Sequence, residues 1–351
     1  MSDLETGHDA ERSATVAFLS TVPLLKGIPE RELGELAGLL RRRELGAGEV
    51  LWHEGDEAVG MVLIVDGRVS LALRLPGERT IEFTSLGAGE VLGEVPLLDG
   101  GQHSATASVV EPASLLWLSR ADFTALVARR HSTAFALKRR IARVTCGRLR
   151  TRLASLATSL GDDPADRPGA SAPSDVADLE ACGPPDSAYV ERLATFRAFD
   201  SLALWGLLTA GRFAKCPPRR TLTVEGSTPT ACYLTMNGAV EKVIIRGGRR
   251  IRVALAGPGD LFGYEGLIDG DPAPMTTTTR ERALLLVLPR AAFERLFYGE
   301  TTGSHVFLDV VNRDLMATLR QVTRSQACLG SSLATRLIST PTEAEDWRAP
   351  G

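Results

Sequence analysis

The chain has 351 residues, 44% of them hydrophobic, and a formal net charge of −3. That length suits two domains with cores of their own. The near-neutral charge gives no whole-chain basic field for nucleic acid, and no apolar run is long enough to cross a bilayer, so neither nucleic acid nor membrane is an expected partner.

Residues 1–16 are polar and acidic, carry no signal-like apolar core, and read as a flexible lead. The expected compartment is therefore the cytoplasm. The five cysteines are odd in number and widely spaced, without a C-x-x-C pair, so neither a zinc site nor a disulfide framework is expected. From Ala17 the pattern turns helical, with Leu33, Leu36, Leu39 and Leu40 on one face. Pro29 marks a helix start. Arg41, Arg42 and Arg43 read as a solvated helix end, where cations suit the helix dipole.

From Leu45 the texture changes to strands and turns. Runs at 50–52, 61–65, 68–75, 80–86 and 114–118 are strand-like, with turns at Gly55, Gly67 and Gly77. Short strands with Gly-rich turns predict a β-barrel or jelly roll.

Residues 86–107, LGAGEVLGEVPLLDGGQHSATA, are the most informative stretch. Gly93 and Glu94 precede a short apolar helical run, Asp99-Gly100-Gly101 breaks it, and small residues open a strand at Ser104. Glycine permits close backbone approach and positive φ. A short helix after such a turn points free N–H groups at an anion. The stretch has the build of a phosphate cradle with one carboxylate, Glu94, beside it.

A helix follows over 132–160. Ala142, Cys146, Leu149, Leu153, Leu156 and Leu160 form a seam at coiled-coil spacing. It is expected to make a homodimer or to dock within the chain. The other face carries Lys138, Arg139, Arg140, Arg143, Arg148, Arg150 and Arg152. That face reads as solvated, or as a surface for an acidic partner or segment. Residues 161–191 open on a Pro-, Gly-, Ser- and Asp-rich stretch and read as an acidic disordered linker.

The chain then repeats itself. Gly226 answers Gly55 at a separation of 171 residues, and Leu267, Asp269 and Gly270 answer Leu97, Asp99 and Gly100 at 170. So many blocks in one order argue for duplicated domains. The layout is a lead (1–16), a first domain with its helix (17–160), a linker (161–191), a second domain with its helix (192–329) and a tail (330–351). In the second copy Tyr264 stands at the position of Glu94, with Glu265 next to it, and Ala273 stands at the position of His103. Leu308, Val311, Leu315, Leu319 and Val322 mark its closing helix.

The Gly93-Glu94 turn with Leu97-Leu98 behind it resembles the phosphate-binding cassette of cyclic nucleotide-binding domains, as in kinase A regulatory subunits and catabolite activator proteins. The resemblance covers most of both repeats and implies a fold class: mainly β with flanking α-helices, as two tandem jelly-roll (double-stranded β-helix) domains. It also implies a cyclic nucleotide, cAMP or cGMP, as ligand. Glu94 would take the ribose hydroxyl, and the phosphate cation, an arginine in the family, falls on His103. The candidate ligand residues are Gly93, Glu94, Val95, His103, Ser104 and Ala105. A neutral histidine offers one donor where arginine offers a fork of five, so binding would tighten as His103 gains its proton. The second copy keeps neither group in register and is expected not to bind.

No Walker loop, G-x-S-x-G elbow, H-E-x-x-H or kinase signature is present, and no enzyme is expected. The expected function is a regulatory protein of the cyclic-nucleotide-receptor type, with an unknown protein partner. A ligand-free scaffold is the alternative. A transcription regulator is a third reading, although neither linker nor tail provides a DNA-reading helix.

Overall fold

A computed structural model describes residues 2–75, 79–158, 178–246 and 249–338. The first repeat opens with α1 (Ser2–Thr21) and α2 (Glu30–Leu39), joined through a 3-10 turn at Pro23–Leu25. The strands β1 (Arg41–Leu45), β2 (Val50–Trp52), β3 (Gly60–Leu75), β4 (Arg79–Leu86) and β5 (Val91–Leu92) follow. Then come α3 (Glu94–Asp99), β6 (Thr106–Ser119), α4 (Arg120–Ala128) and α5 (Ser132–Thr158). The sheet is antiparallel, ordered β1-β6-β3-β4, with β2 on β6 and β5 on β3.

The second repeat comprises β7 (Glu180–Cys182), α6 (Ser187–Arg192), α7 (Ser201–Thr209), β8 (Arg212–Cys216), β9 (Thr221–Thr223), β10 (Ala231–Asn237), β11 (Val240–Arg246), β12 (Arg249–Ala256) and β13 (Leu261–Phe262). It closes with α8 (Glu265–Asp269), β14 (Thr276–Thr279), β15 (Ala283–Pro289), α9 (Arg290–Tyr298) and α10 (Thr302–Ile338). Its strands form two sheets, β13-β10-β15-β8-β7 and β12-β11-β14-β9. The expected class stands: two mainly antiparallel β domains with flanking helices.

Five local expectations need correction. Ser2–Thr21 is helical rather than a loose lead: the Arg12 guanidinium donates to Gly34 O at 2.8 Å, and Leu19 is fully buried. Arg41, Arg42 and Arg43 begin a strand, not a helix end. The arginines pair with Trp117, Leu116 and Leu115 of β6, and Arg43 lies over the Trp117 ring at 4.5 Å. Gly67 is a bulge inside one long strand rather than a turn between two. Its φ is +87°, and a Cβ there would meet Pro112 O at 2.3 Å, so only glycine fits. The far end of the assigned linker is structured: β7 pairs with β8, and Asp186 caps α6 by accepting from Ala188 N at 2.7 Å. The α10 helix likewise continues through residues assigned to the tail, to Ile338. The rest of the linker, Leu160 and the end of the tail lie outside the described residues.

The α5 seam does dock, and it does so within the chain. Ala142, Cys146, Leu149, Leu153 and Leu156 are buried in one apolar cluster with Leu267, Ile268, Phe307, Val311, Leu315 and Val322 of the second repeat. Polar contacts fix the register. Lys138 Nζ donates to Asp309 at 2.6 Å, and Arg150 forks onto Asp269 at 2.7 and 3.0 Å. Arg139 donates to Tyr298 O at 2.8 Å. Much of the basic face is thus an internal docking surface.

Candidate functional site

Between β3, α3, α5 and α10 lies a cavity of about 600 Å³. Gly93, Glu94, Val95, His103, Ser104 and Ala105 all line it. Local chain geometry explains the near wall. Gly93 has φ +80°, and a Cβ would meet Gly60 O at 2.8 Å and the Trp52 ring at 3.2 Å, so the turn into α3 needs glycine. The tip of the loop is pinned by a backbone pair: Gly55 N donates to His103 O, and His103 N to Asp56 O, both at 2.9 Å. Trp52 Nε1 donates to Ala105 O at 3.2 Å.

Glu94 is only 3% exposed. One of its oxygens accepts from Arg148 Nη1 of α5, while Arg148 Nη2 donates to Val91 O at 3.0 Å. A carboxylate has acceptor sites on two oxygens, so Glu94 can hold Arg148 and still accept a ligand hydroxyl. Arg152, one turn on, lies over the Phe83 ring at 5.0 Å. The α10 helix closes the far side with Leu319, Arg320 and Thr323.

His103 lines the cavity, and its burial opposes the protonation on which tighter binding would depend. It is 3% exposed and stacks on Trp52 with centroids 4.0 Å apart. Its Nε2 has no hydrogen-bond partner among the described residues. Burial, opposed by Asp56 and reinforced by Arg320, lowers its pKa from 6.5 to about 4. Burial therefore favours the neutral imidazole at neutral pH.

A stability prediction follows from this burial. Between pH 6.5 and about 4 the unfolded chain binds a proton that the folded chain refuses. Stability therefore rises with pH across that window and is lost as pH falls through it. The full effect is about 3 kcal/mol at ~1.36 kcal/mol per unit. Urea unfolding of wild type and His103→Gln at pH 7 and pH 4 should show a smaller acid loss in the variant. Equal losses would remove His103 as the cause.

The second cradle repeats the loop geometry of the first with other side chains. Gly226 N donates to Ala273 O and Ala273 N to Ser227 O, both at 2.8 Å, repeating the loop pins of the first. Tyr264 is fully buried, and its hydroxyl donates to Asp314 of α10. The same carboxylate accepts from buried Lys242 at 3.2 Å. Glu265 is buried too; burial raises its pKa, against the pull of Lys242. Tyr264 and the Lys242–Asp314 ion pair are thus buried beside this second turn.

The sequence pattern found the cassette wall but not the helical wall. Arg148 and Arg152 were visible only as members of a basic face, and nothing in the sequence marked Trp52, Phe83 or Arg320. Among the described residues no cluster could hold a metal ion, and no helix is long and apolar enough to cross a membrane.

Sheet order, cassette and flanking helices define a mainly antiparallel β domain present in two copies. Residues 42–130 and 214–298 match the cyclic nucleotide-binding domain family, and both repeats belong to it. The chain is 34% identical over 123 residues to a cyclic AMP receptor protein of Thermus thermophilus, covering 34% of this chain and 57% of that protein. It is 33% identical over 102 residues to a cAMP-dependent protein kinase type II regulatory subunit of Drosophila melanogaster, covering 28% and 27%. The match thus spans little more than half of the first relative and under a third of the second. A solved structure, the regulatory domain of Toxoplasma gondii PKA with cAMP, aligns over 93% of this chain and 97% of its own, at 15% identity and TM-score 0.32.

Proposed function

We propose that this chain is a non-enzymatic regulatory protein whose first repeat receives a cyclic nucleotide, cAMP or cGMP, and whose second repeat does not bind one. The observation that carries this is the cavity of about 600 Å³ on which the whole set of cassette candidates converges. The second cradle, by contrast, holds Tyr264 and the Lys242–Asp314 pair. Glu94 offers an acceptor to the ribose. Arg148 links that carboxylate to α5, whose seam is buried against the second repeat. A ligand hydroxyl on the second Glu94 oxygen would share that carboxylate with Arg148 and so bias the contact between repeats. The output would pass to a protein partner.

Calorimetry of the whole chain with cAMP and with cGMP tests the reading. One site per chain is expected. Glu94→Ala should weaken it about 10- to 100-fold, as expected for a charge-assisted hydrogen bond. Silence toward both nucleotides would overturn the reading in favour of a ligand-free scaffold. The neutral His103 at the phosphate position is the observation that favours that second reading.

A further inference from the structure

We propose that Arg320, on the last helix of the second repeat, is the phosphate-binding cation of the first repeat's cavity, so that one ligand site is shared by both repeats. The inference rests on the reading that a cyclic nucleotide enters this cavity.

A cyclic phosphate carries a negative charge, and its removal from water needs a compensating cation. The cassette supplies none, because His103 is buried against Trp52 and neutral at neutral pH. Three arginines line the cavity. Arg148 is committed to Glu94 and to Val91 O on the ribose side. Arg152 lies over Phe83. Arg320 is the arginine at the cassette tip: its Nη2 donates to Gln102 O at 3.1 Å, one residue from His103. Leu319 and Thr323, on the same face of α10, line the cavity with it. The guanidinium also presents donors as a planar fork, which suits two phosphate oxygens better than an imidazole does. The unpartnered Nε2 of His103 marks the spot as polar and unsatisfied. There the imidazole can add a neutral hydrogen bond beside the Arg320 charge.

Position across the interface gives Arg320 a rigid base. Asp309 and Met316 on the same helix meet Lys138 and Thr145 of α5. The second repeat would thus act by completing the first.

The test compares cAMP with adenosine, which keeps base and ribose and lacks the phosphate, by calorimetry on the full chain. Arg320→Gln should weaken cAMP about 10- to 100-fold and leave adenosine unchanged. Adding His103→Arg to Arg320→Gln should restore cAMP binding, because the cation returns to the cassette. Equal weakening of both ligands would mean that Arg320 only ties α10 to the loop, and would overturn the inference. So would unchanged cAMP binding in Arg320→Gln, or a folded double variant that fails to recover. Wild type that binds neither cAMP nor cGMP overturns the proposed function, and the inference falls with it. Wild-type binding with an indifferent Arg320→Gln removes the inference alone.

Discussion

Replacing Leu149 and Leu153 by glutamate is expected to separate the two repeats. Leu149 is fully buried and Leu153 nearly so, in the cluster that also holds Phe307, Val311 and Leu315. Each glutamate would place a charge there without a partner. A buried charge left uncompensated costs about 3–5 kcal/mol. Two together rival the ~5–15 kcal/mol stability of a whole domain. Moving the repeats apart relieves that cost, because each keeps a β core of its own. The expected record is a larger radius in small-angle scattering and two melting transitions in calorimetry where wild type shows one. The mass should not change, since the seam faces the same chain. Leu149→Ala with Leu153→Ala should cost less, about 2–5 kcal/mol per site, from cavity formation alone. An unchanged radius and melt in the glutamate variant would remove the seam from the interface. A halved mass would make it a dimer contact instead.

The same helix explains why the basic face resisted reading as a sequence. Arg148 and Arg150 are two residues apart, so they leave α5 on different sides. Arg148 meets Glu94 at the cassette of the first repeat. Arg150 meets Asp269 in the cassette helix of the second. One turn of helix therefore touches both cassettes. A run of cations without acidic residues looks solvated until its partners are known. Here those partners lie 54 and 119 residues away.

What was legible shares a physical cause: local constraint. Gly93 and Gly67 hold positive φ at places where a Cβ would strike backbone, so the repeat's landmarks had to remain glycines. The apolar steps of α5 and α10 follow helical spacing and reported their buried faces correctly. What was not legible depends on distant chain. Gly67 looks like a turn, and only pairing with β6 makes it a bulge. Arg41 to Arg43 look like a helix end, and only β6 makes them a strand. The protonation of His103 is governed by its burial, and the cavity's far wall is set by a helix more than 200 residues on. Residue type marks His103 as titratable but not how burial shifts it, because desolvation is a property of the fold.

Asp314→Ala is expected to cost the second repeat about 3–5 kcal/mol, the usual consequence of orphaning a buried charge. Lys242 is 2% exposed and pairs with Asp314 at 3.2 Å. Burial alone would lower the lysine pKa, but Asp314 and Glu265 outweigh it, and the pKa is raised. The ammonium is therefore charged in the folded protein at neutral pH. Without Asp314 the lowering effect of burial is left with Glu265 as its main opponent, and the Tyr264 hydroxyl loses its acceptor as well. Removing the three hydrogen-bonded members together, with Glu265 left in place, should cost less than the single change. Lys242→Met, Asp314→Leu and Tyr264→Phe together replace the network by apolar groups of similar volume, which is often neutral or stabilising. Urea midpoints for the single and triple variants give the comparison. A triple variant close to wild type beside a much weakened single would assign the cost to the orphaned charge. Equal losses in both would show that Asp314 contributes through shape rather than charge. The triple variant should also leave the proposed nucleotide binding by the first repeat unchanged, because none of its positions lines that cavity.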